Sequence, residues 1–500
     1  MSLDMKKKIV IIGGGISGLA AGIYALKEGY QPIILEKNDV AGGLCTAWTR
    51  KGMKIDGCIH WLSGTNPDTS LFRSWQEVHA FKDQSELIYL DSWGSFRYED
   101  TTITFYRDLD KAEAEWIKVS PEDRRRIRRF FKMVKKVRSV DLPLDAPAIL
   151  LPFKVKMNFV KQLLKAFPTY FIAMISNSDK YAKKFKHPAL RWALKNVQAG
   201  AGNLYSMVFS YATIANNSGG IPIGGSTTLT NNMLNYFKEL GGEIRYNSEV
   251  VSFEIEKKNV QGVVLKNGEV IKGDFYISCC DANYALINLL NNKYAHAQIA
   301  DRYNNPDMHP APSCVLINYQ VPADVIINIP YNFKVDTFDL GLKHIDHINM
   351  RSFNYDKTFI KNGKTILQVL LDQDSVDFTY WHELYQNKEK YLEYKAFLAD
   401  YVMKLIENEI PGYKGNMVTL DVATPMTFSR YVNASRGSYM SFLFNPKKGV
   451  IASKGKLDGL KNFLLSGQYV QTPGGLPLAL ASGKYSVAWI KYHYKKNKNN

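Results

Sequence analysis

Lys8-Ile9-Val10-Ile11-Ile12-Gly13-Gly14-Gly15-Ile16-Ser17-Gly18 is the stretch on which the fold turns. Its first five residues form a β-branched apolar run, the pattern of a strand buried on both faces in a parallel sheet. Gly13, Gly15 and Gly18 supply G-x-G-x-x-G at once. Leu19 to Leu26 then reads as a helix, and Gln31-Pro32-Ile33-Ile34-Leu35 as a second strand ending at Glu36. Each part has a physical role. The first glycine permits a tight turn, the second lets backbone approach a pyrophosphate, and the third lets helix pack on strand. The helix start at Ile16 and Ser17 offers unpaired N–H groups and a positive dipole end to phosphate. Glu36 is placed to accept hydrogen bonds from an adenosine ribose. An acid there suits FAD or NAD and disfavours a 2′-phosphate. The uncharged run Ile9–Leu26 follows Lys6-Lys7-Lys8 and superficially resembles a signal peptide or membrane span. The glycine spacing explains it better, and no other stretch is long and apolar enough to span a bilayer.

Outward from this motif, the chain of 500 residues has room for two or three domains or one interleaved pair. Hydrophobic residues at 46% and charged residues at 22% describe a globular protein rather than a disordered one. The net charge of +17 is concentrated. Residues 121–200 hold 19 Lys/Arg against 5 Asp/Glu, and the last ten residues add four Lys and no acid, so the rest is close to neutral. The cysteines Cys45, Cys58, Cys279, Cys280 and Cys314 are odd in number and lack C-x-x-C. They suit neither a disulfide framework nor a zinc site and point to a reducing, cytoplasmic compartment.

Glu36-Lys37-Asn38-Asp39-Val40-Ala41-Gly42-Gly43 resembles the E-x(5)-G-G continuation of FAD-dependent amine oxidases and phytoene desaturases, with Leu44 and Arg50 in the same loop region. A second strand, glycine loop and helix lie near the C-terminus. Phe463-Leu464-Leu465-Ser466-Gly467 leads through Gln471-Thr472-Pro473-Gly474-Gly475-Leu476-Pro477 into an Ala-rich helix, Leu478 to Ile490. This resembles the closing motif of the phytoene desaturase family and its retinol saturase-like branch. Asp56-Gly57-Cys58-Ile59-His60-Trp61, Pro222-Ile223-Gly224-Gly225, Val250-Val251 and Thr424-Pro425-Met426-Thr427 extend the resemblance. Met440 after Tyr439, where the family often has Gly, and Cys279-Cys280 in place of Ser-Asn depart from it.

The resemblance implies a mixed α/β (α+β) fold, with a Rossmann-like FAD-binding domain and an interleaved substrate domain of sheet plus helices. The FAD-binding domain takes 5–110, 218–290 and 420–492. A basic helical segment, 111–217, and a substrate domain, 291–419, are interleaved with it, and a basic tail covers 493–500. Gly13, Gly15, Ile16, Ser17, Gly18, Glu36, Lys37, Gly42, Gly43, Leu44, Arg50, Val250, Val251, Gly467, Gly474, Gly475 and Leu476 are the implied cofactor residues. No cysteine lies in the closing loop, so the FAD is expected to be noncovalent. Without a second G-x-G-x-x-G, NAD(P)H enters only as a transient reductant.

Ser120-Pro121-Glu122-Asp123 has the composition of a helix start, Ser as N-cap and acids in the first turn. Ile127, Phe130, Phe131, Val134 and Val137 follow at helical spacing with nine Lys/Arg between Arg124 and Arg138. Phe153, Met157, Val160, Leu164 and Phe167 repeat the pattern beside Lys154, Lys156, Lys161 and Lys165. These are cationic amphipathic helices. They read as a solvated face over the domain below, as an anionic-membrane patch at the periphery of the inner membrane face, or as a nucleic-acid surface. No nucleic-acid-binding motif is visible. Residues 300–420 mix strands with a helix near 388–408, a sheet whose apolar faces are expected to roof a cavity. His60 is the candidate catalytic residue, to hold a substrate polar group or pass a proton. His344 and His347 lack the company of a metal site, and none is expected. The implied reaction adds or removes hydrogen at a C–C bond of an apolar isoprenoid or lipid substrate, by hydride transfer at flavin N5. An amine oxidase, and a non-redox flavin-dependent isomerase or lipid-binding protein, are the alternatives. Oligomeric state is not legible.

Overall fold

Lys8–Ile12 lies in the middle of a five-stranded sheet whose spatial order is Glu243–Arg245, Gln31–Leu35, Lys8–Ile12, Phe275–Ser278 and Phe463–Leu465. All neighbours run parallel. The computed structural model describes residues 6–138, 140–197, 203–327, 329–443, 451, 453–471 and 473–498. Ile9, Val10 and Ile11 are wholly buried because both faces of the sheet are covered. Ile9, Ile11 and Ile34 pack with the helices Ile16–Lys27, Gly225–Glu239 and Leu476–Lys498. Val10, Ile12, Ile33 and Leu35 pack with Val250, Val260, Val263 and Leu265 of a small antiparallel sheet. Full burial of such side chains contributes about 1.5–3 kcal/mol each. The last helix runs Leu476–Lys498, beyond the expected Leu478–Ile490 and into the segment read as a tail. Its first turns lie close against Ile16–Lys27: a Cβ on Gly483 would stand 2.4 Å from the Ser17 carbonyl oxygen.

A seven-stranded sheet lies over this unit, ordered Val418–Ala423, Pro312–Pro322, Lys364–Asp374, Lys343–Ser352, Tyr331–Leu340, Ser92–Tyr98 and Thr101–Tyr106. Its last two strands fall inside 5–110, the segment read as FAD-binding. Ser95, Phe96 and Arg97 pair with Tyr331, Asn332 and Phe333 and so join the other sheet. Strand pleating puts alternate residues on opposite faces. Val315, Ile317, Tyr319, Leu367, Val369 and Leu371 form one face and pack under Leu398, Val402 and Ile406 of the Lys388–Glu409 helix. The other face carries Asn318, Gln368 and Arg351 alongside Cys314, Leu316 and Leu370. The face turned toward the five-stranded unit therefore mixes polar with apolar side chains, where an apolar roof was expected. Arg351 Nη1 donates to the Ile59 carbonyl at 2.6 Å and Gln368 Nε2 to the Asp56 carbonyl at 2.9 Å, so hydrogen bonds join sheet to unit beside the apolar contacts of Met53 and Ile55 with Ile366.

The helical segment folds on the far edge of this sheet. Phe105, Trp116, Phe130, Phe131 and Tyr211 make its aromatic core, with Phe105 edge-on to Trp116 at 4.8 Å and 83°. Such pairs add about 0.5–1.5 kcal/mol beyond burial. Ser120 does not cap the Arg124–Val137 helix. Its hydroxyl donates to Asp123, whose buried carboxylate also receives the Lys186 and His187 amides. Among the described residues no helix is long and apolar enough to cross a membrane.

Candidate functional site

The C-terminal ends of the parallel strands meet along one edge, the position at which open α/β sheets bind ligands. Gly13 turns there with φ +99°, and its amide donates to Leu35 O at 2.8 Å. Gly18 is required by close approach, since a Cβ would lie 1.9 Å from the Gly13 carbonyl oxygen. The Ile16–Lys27 helix begins at Gly15 without any side-chain cap, although Ile16 and Ser17 are buried. A buried, uncapped helix start calls for a ligand as partner. Gly42, at φ +123°, lays a loop across it: its amide donates to Gly14 O at 2.9 Å, and Gly43 lies beside Gly15. Glu36, 4% exposed, accepts the Gly14 amide at 2.7 Å and the Asn38 amide at 2.9 Å. Each carboxylate oxygen keeps a further acceptor site for a ribose hydroxyl. These features fit a dinucleotide, with phosphate at the helix start and ribose at Glu36.

The closing loop approaches the same edge. The Gly467 amide donates to Ser482 Oγ at 2.8 Å, and the Gly475 amide to Gln468 Oε1 at 3.0 Å. Gly474 passes so near Ser441 that a Cβ would stand 2.4 Å from its Cβ. Leu476 starts the last helix. Thr472 lies outside the described residues.

Not every expected residue points a side chain at this edge. The Ser17 hydroxyl turns inward to Ser466 at 2.8 Å and Ser482 at 3.3 Å, so only its backbone faces a ligand. Lys37 is tied to Asn433 Oδ1 at 2.8 Å and to Arg430 O, and burial lowers its pKa. It lines a groove of about 410 Å³ with Asn247, Glu249 and Lys266. Val250 is buried beside this groove, whereas Val251 is 40% exposed. Leu44 packs under the larger sheet with Cys314 and Ala423. Arg50 is half exposed and paired with Asp421 at 3.4 Å, away from the glycine loops.

Asp56 organises the loop that carries His60, a role its sequence motif did not reveal. Its carboxylate accepts the Ser226 amide and hydroxyl, each at 2.6 Å, and the Cys58 amide at 2.9 Å. The 57–61 loop is thereby fixed to the start of Gly225–Glu239. Burial, helped by the Arg351 charge, holds His60 well below its usual pKa. The imidazole stays neutral, which suits hydrogen bonding to substrate and removes the pKa argument for proton transfer. Cys58, His60, Tyr355 and Tyr439 are strongly desolvated, and each keeps part of its surface accessible. Burial pushes Cys279 up to about 12 and Cys280 up to about 11, which keeps both as thiols. His347 is bonded to Asp346 at 2.9 Å, and among the described residues no cluster is placed to hold a metal ion.

Comparison with known proteins adds to this geometry. The family described as an NAD(P)-binding Rossmann-like domain matches residues 11–78. A phytoene desaturase (neurosporene-forming) of Cereibacter sphaeroides is 27% identical over 57% of this chain, spanning about half, 55%, of its own length. A chloroplastic prolycopene isomerase of Daucus carota is 22% identical over 88% of this chain and 73% of its own. A putrescine oxidase structure superposes with a TM-score of 0.58 at 12% identity, covering 98% of this chain and 99% of that one, and shares the fold.

Proposed function

We propose that this chain is a phytoene desaturase-like oxidoreductase that holds FAD noncovalently along the strand-end edge and transfers hydrogen at a C–C bond of an apolar isoprenoid or lipid substrate. The observation that carries the cofactor is the buried, uncapped start of Ile16–Lys27 beside the Glu36 carboxylate. Gly13, Gly15, Gly42 and Gly43 would pass the dinucleotide, and Gly467, Gly474 and Gly475 would close over the flavin. When bound, FAD supplies hydride exchange at N5. The protein's part is positioning and exclusion of water. His60, neutral and carried on the loop that Asp56 anchors, would orient the substrate. The alternative favoured by the isomerase relative is rearrangement without net redox. Product mass separates the two, since desaturation or saturation changes it by two hydrogens and isomerisation leaves it unchanged. An amine that reduces the flavin while no polyene exchanges electrons with it overturns both.

The same proposal extends to where the substrate comes from. Phe153 and Leu164 on the helix Phe153–Ala166, Phe167 just after it, and Phe171, Ile172 and Ile175 on the helix Thr169–Ile175 are each more than half exposed. Lys154, Lys156, Lys161 and Lys165 lie among them. An apolar face rimmed by cations suits shallow insertion into an anionic bilayer, from which a lipid substrate is drawn. Sedimentation with anionic vesicles tests it. Affinity indifferent to Phe153, Leu164 and Phe171 contradicts it.

A further inference from the structure

Cys45 lies just after Gly42, Gly43 and Leu44 in the loop that crosses the helix start, and Cys58 lies just before His60. Both are free cysteines. The hairpin between them brings them face to face. Its strands Ala47–Arg50 and Met53–Asp56 run antiparallel, with Ala47 opposite Asp56 and Arg50 opposite Met53. The pairing continues one residue further, since the Gly57 amide donates to Thr46 O at 3.1 Å. The next opposed pair in that register is Cys45 and Cys58. Because a ladder hydrogen bond joins Thr46 and Gly57, this pair takes the alternate position, where Cα atoms stand about 4.5 Å apart and side chains come closest. A disulfide accepts Cα separations of about 4.4–6.8 Å.

The side chains agree with the register. Strand pleating returns Cys45 and Cys58 to the face of Ala47 and Asp56. Cys45 Sγ donates to the Ser226 carbonyl at 3.8 Å, on the residue whose amide and hydroxyl bond Asp56 at 2.6 Å. The two thiols are themselves hydrogen-bonded. Cys45 is 1% exposed, whereas Cys58 keeps part of its surface accessible. Cys279 and Cys280, by contrast, turn away from each other to Ser17 and to Ile12 O. The facing pair also spans two loops of different duty. The first is held down by the Gly42 amide on Gly14 O and by the Thr230 hydroxyl on Cys45 O, each at 2.9 Å. The second is fixed through Asp56 to Gly225–Glu239.

We propose that Cys45 and Cys58 form a reversible disulfide that staples the glycine loop to the His60 loop, and that the oxidised form releases FAD more slowly than the dithiol because this loop must lift for the cofactor to leave. The effect on FAD rests on the functional reading above; the disulfide does not. The oxidant is a low-molecular-weight disulfide. The Cys58 thiol gives up its proton, and its sulfur attacks one reagent sulfur and expels the other as a thiolate. The Cys45 thiol then gives up its proton and attacks Cys58 Sγ, and the second reagent sulfur leaves. Two cysteine thiols are oxidised to one disulfide, one reagent disulfide is reduced to two thiols, and the two cysteine protons end on them. The attacking species is the thiolate. The Cys45 hydrogen bond and burial push the Cys58 thiol well above its ordinary range, so exchange is slow, on a scale of minutes to hours.

The test holds the full-length, FAD-loaded protein in mixtures of reduced and oxidised glutathione, blocks free thiols with N-ethylmaleimide and digests the chain with trypsin. Arg50, Lys51 and Lys54 lie between the two cysteines, so their peptides stay together only through the disulfide. The oxidising mixture is expected to yield the joined peptides, and a dithiol reductant to separate them. Flavin release, followed by fluorescence, should be severalfold slower in the oxidised form and recover on reduction. In Cys58→Ser and in Cys45→Ala the release rate should be indifferent to the mixture. Cys58 is the more accessible of the two, so its variant reports even if Cys45→Ala fails to fold. Both cysteines fully alkylated after oxidation, a glutathione adduct on Cys58 that never resolves, or a Cys279–Cys280 disulfide in its place overturns the pair. A joined pair with an unchanged release rate overturns the staple. A protein that forms the disulfide but takes up no FAD removes the cofactor reading, and the release effect with it, and leaves the disulfide standing.

Discussion

The helices Arg124–Val137 and Phe153–Ala166 are written in the same style and meet opposite fates. Both place large apolar residues at helical spacing among Lys and Arg. In the first, Ile127, Phe130, Phe131 and Val134 are wholly buried in an aromatic core. In the second, Phe153 is 78% and Leu164 69% exposed. Neither start has a side-chain cap, but Asp123 before the first is wired to Ser120, Lys186 and His187, whereas Pro152 before the second has no such side-chain bonds to give. An amphipathic pattern therefore says that a face needs a partner but not which partner it finds. Of two basic segments that both read as membrane helices, the structure leaves only the second with a face to offer.

The largest expected effect separates the two faces by stability. Phe130→Ala should cost about 3–5 kcal/mol in urea unfolding, the range for a buried aromatic. Phe153→Ala should stay within about 0.5 kcal/mol, as exposed substitutions do. Equal losses would erase the distinction. Next, Leu164→Ser should weaken sedimentation with anionic vesicles about ten- to hundredfold, from the roughly 1.5–3 kcal/mol of a buried leucine. Neutralising Arg124, Arg125, Arg128 and Arg129 should change it far less, and the reverse ranking would move the docking face to the first helix. A smaller change is expected for Lys161→Gln, about 1 kcal/mol or fivefold on anionic vesicles and none on zwitterionic ones. The smallest concerns Asp123. Burial alone would raise its pKa, but the hydrogen bonds from His187, Ser120 and Lys186 outweigh burial and hold it below the ordinary 3.8. A depressed carboxyl pKa contributes stability that is complete above the unfolded value and disappears as pH falls through the folded one. Asp123→Asn should therefore flatten the acid limb of a Tm–pH curve below about pH 4, and an unchanged limb would detach Asp123 from the first helix's anchoring.

The same division governs how much was legible. Gly13 to Glu36 could be read directly because local sterics and a short strand–helix–strand path specify that geometry. The E-x(5)-G-G and closing loops followed from their glycines. The orientation of Ser17 was not legible, because it depends on Gly483 bringing a helix from the other end of the chain into contact. The membership of Ser92–Tyr106 in the larger sheet, the hydrogen bonds of its inner face and the Asp56 anchor arise from pairings between segments far apart in sequence. Nor could spacing distinguish Phe130 from Phe153, since helical period records amphipathicity and only tertiary packing records burial.

The strand-end edge is proposed to carry FAD whose electrons exchange with a lipid held near His60. The most direct test of this is anaerobic. The yellow protein is prepared in oxidised and in photoreduced form, mixed with anionic vesicles carrying a conjugated polyene, and followed by flavin absorbance. The account predicts that the polyene bleaches the oxidised form or restores the reduced one, while a simple diamine does neither. A diamine that bleaches the flavin, with the polyene inert toward both forms, would contradict it.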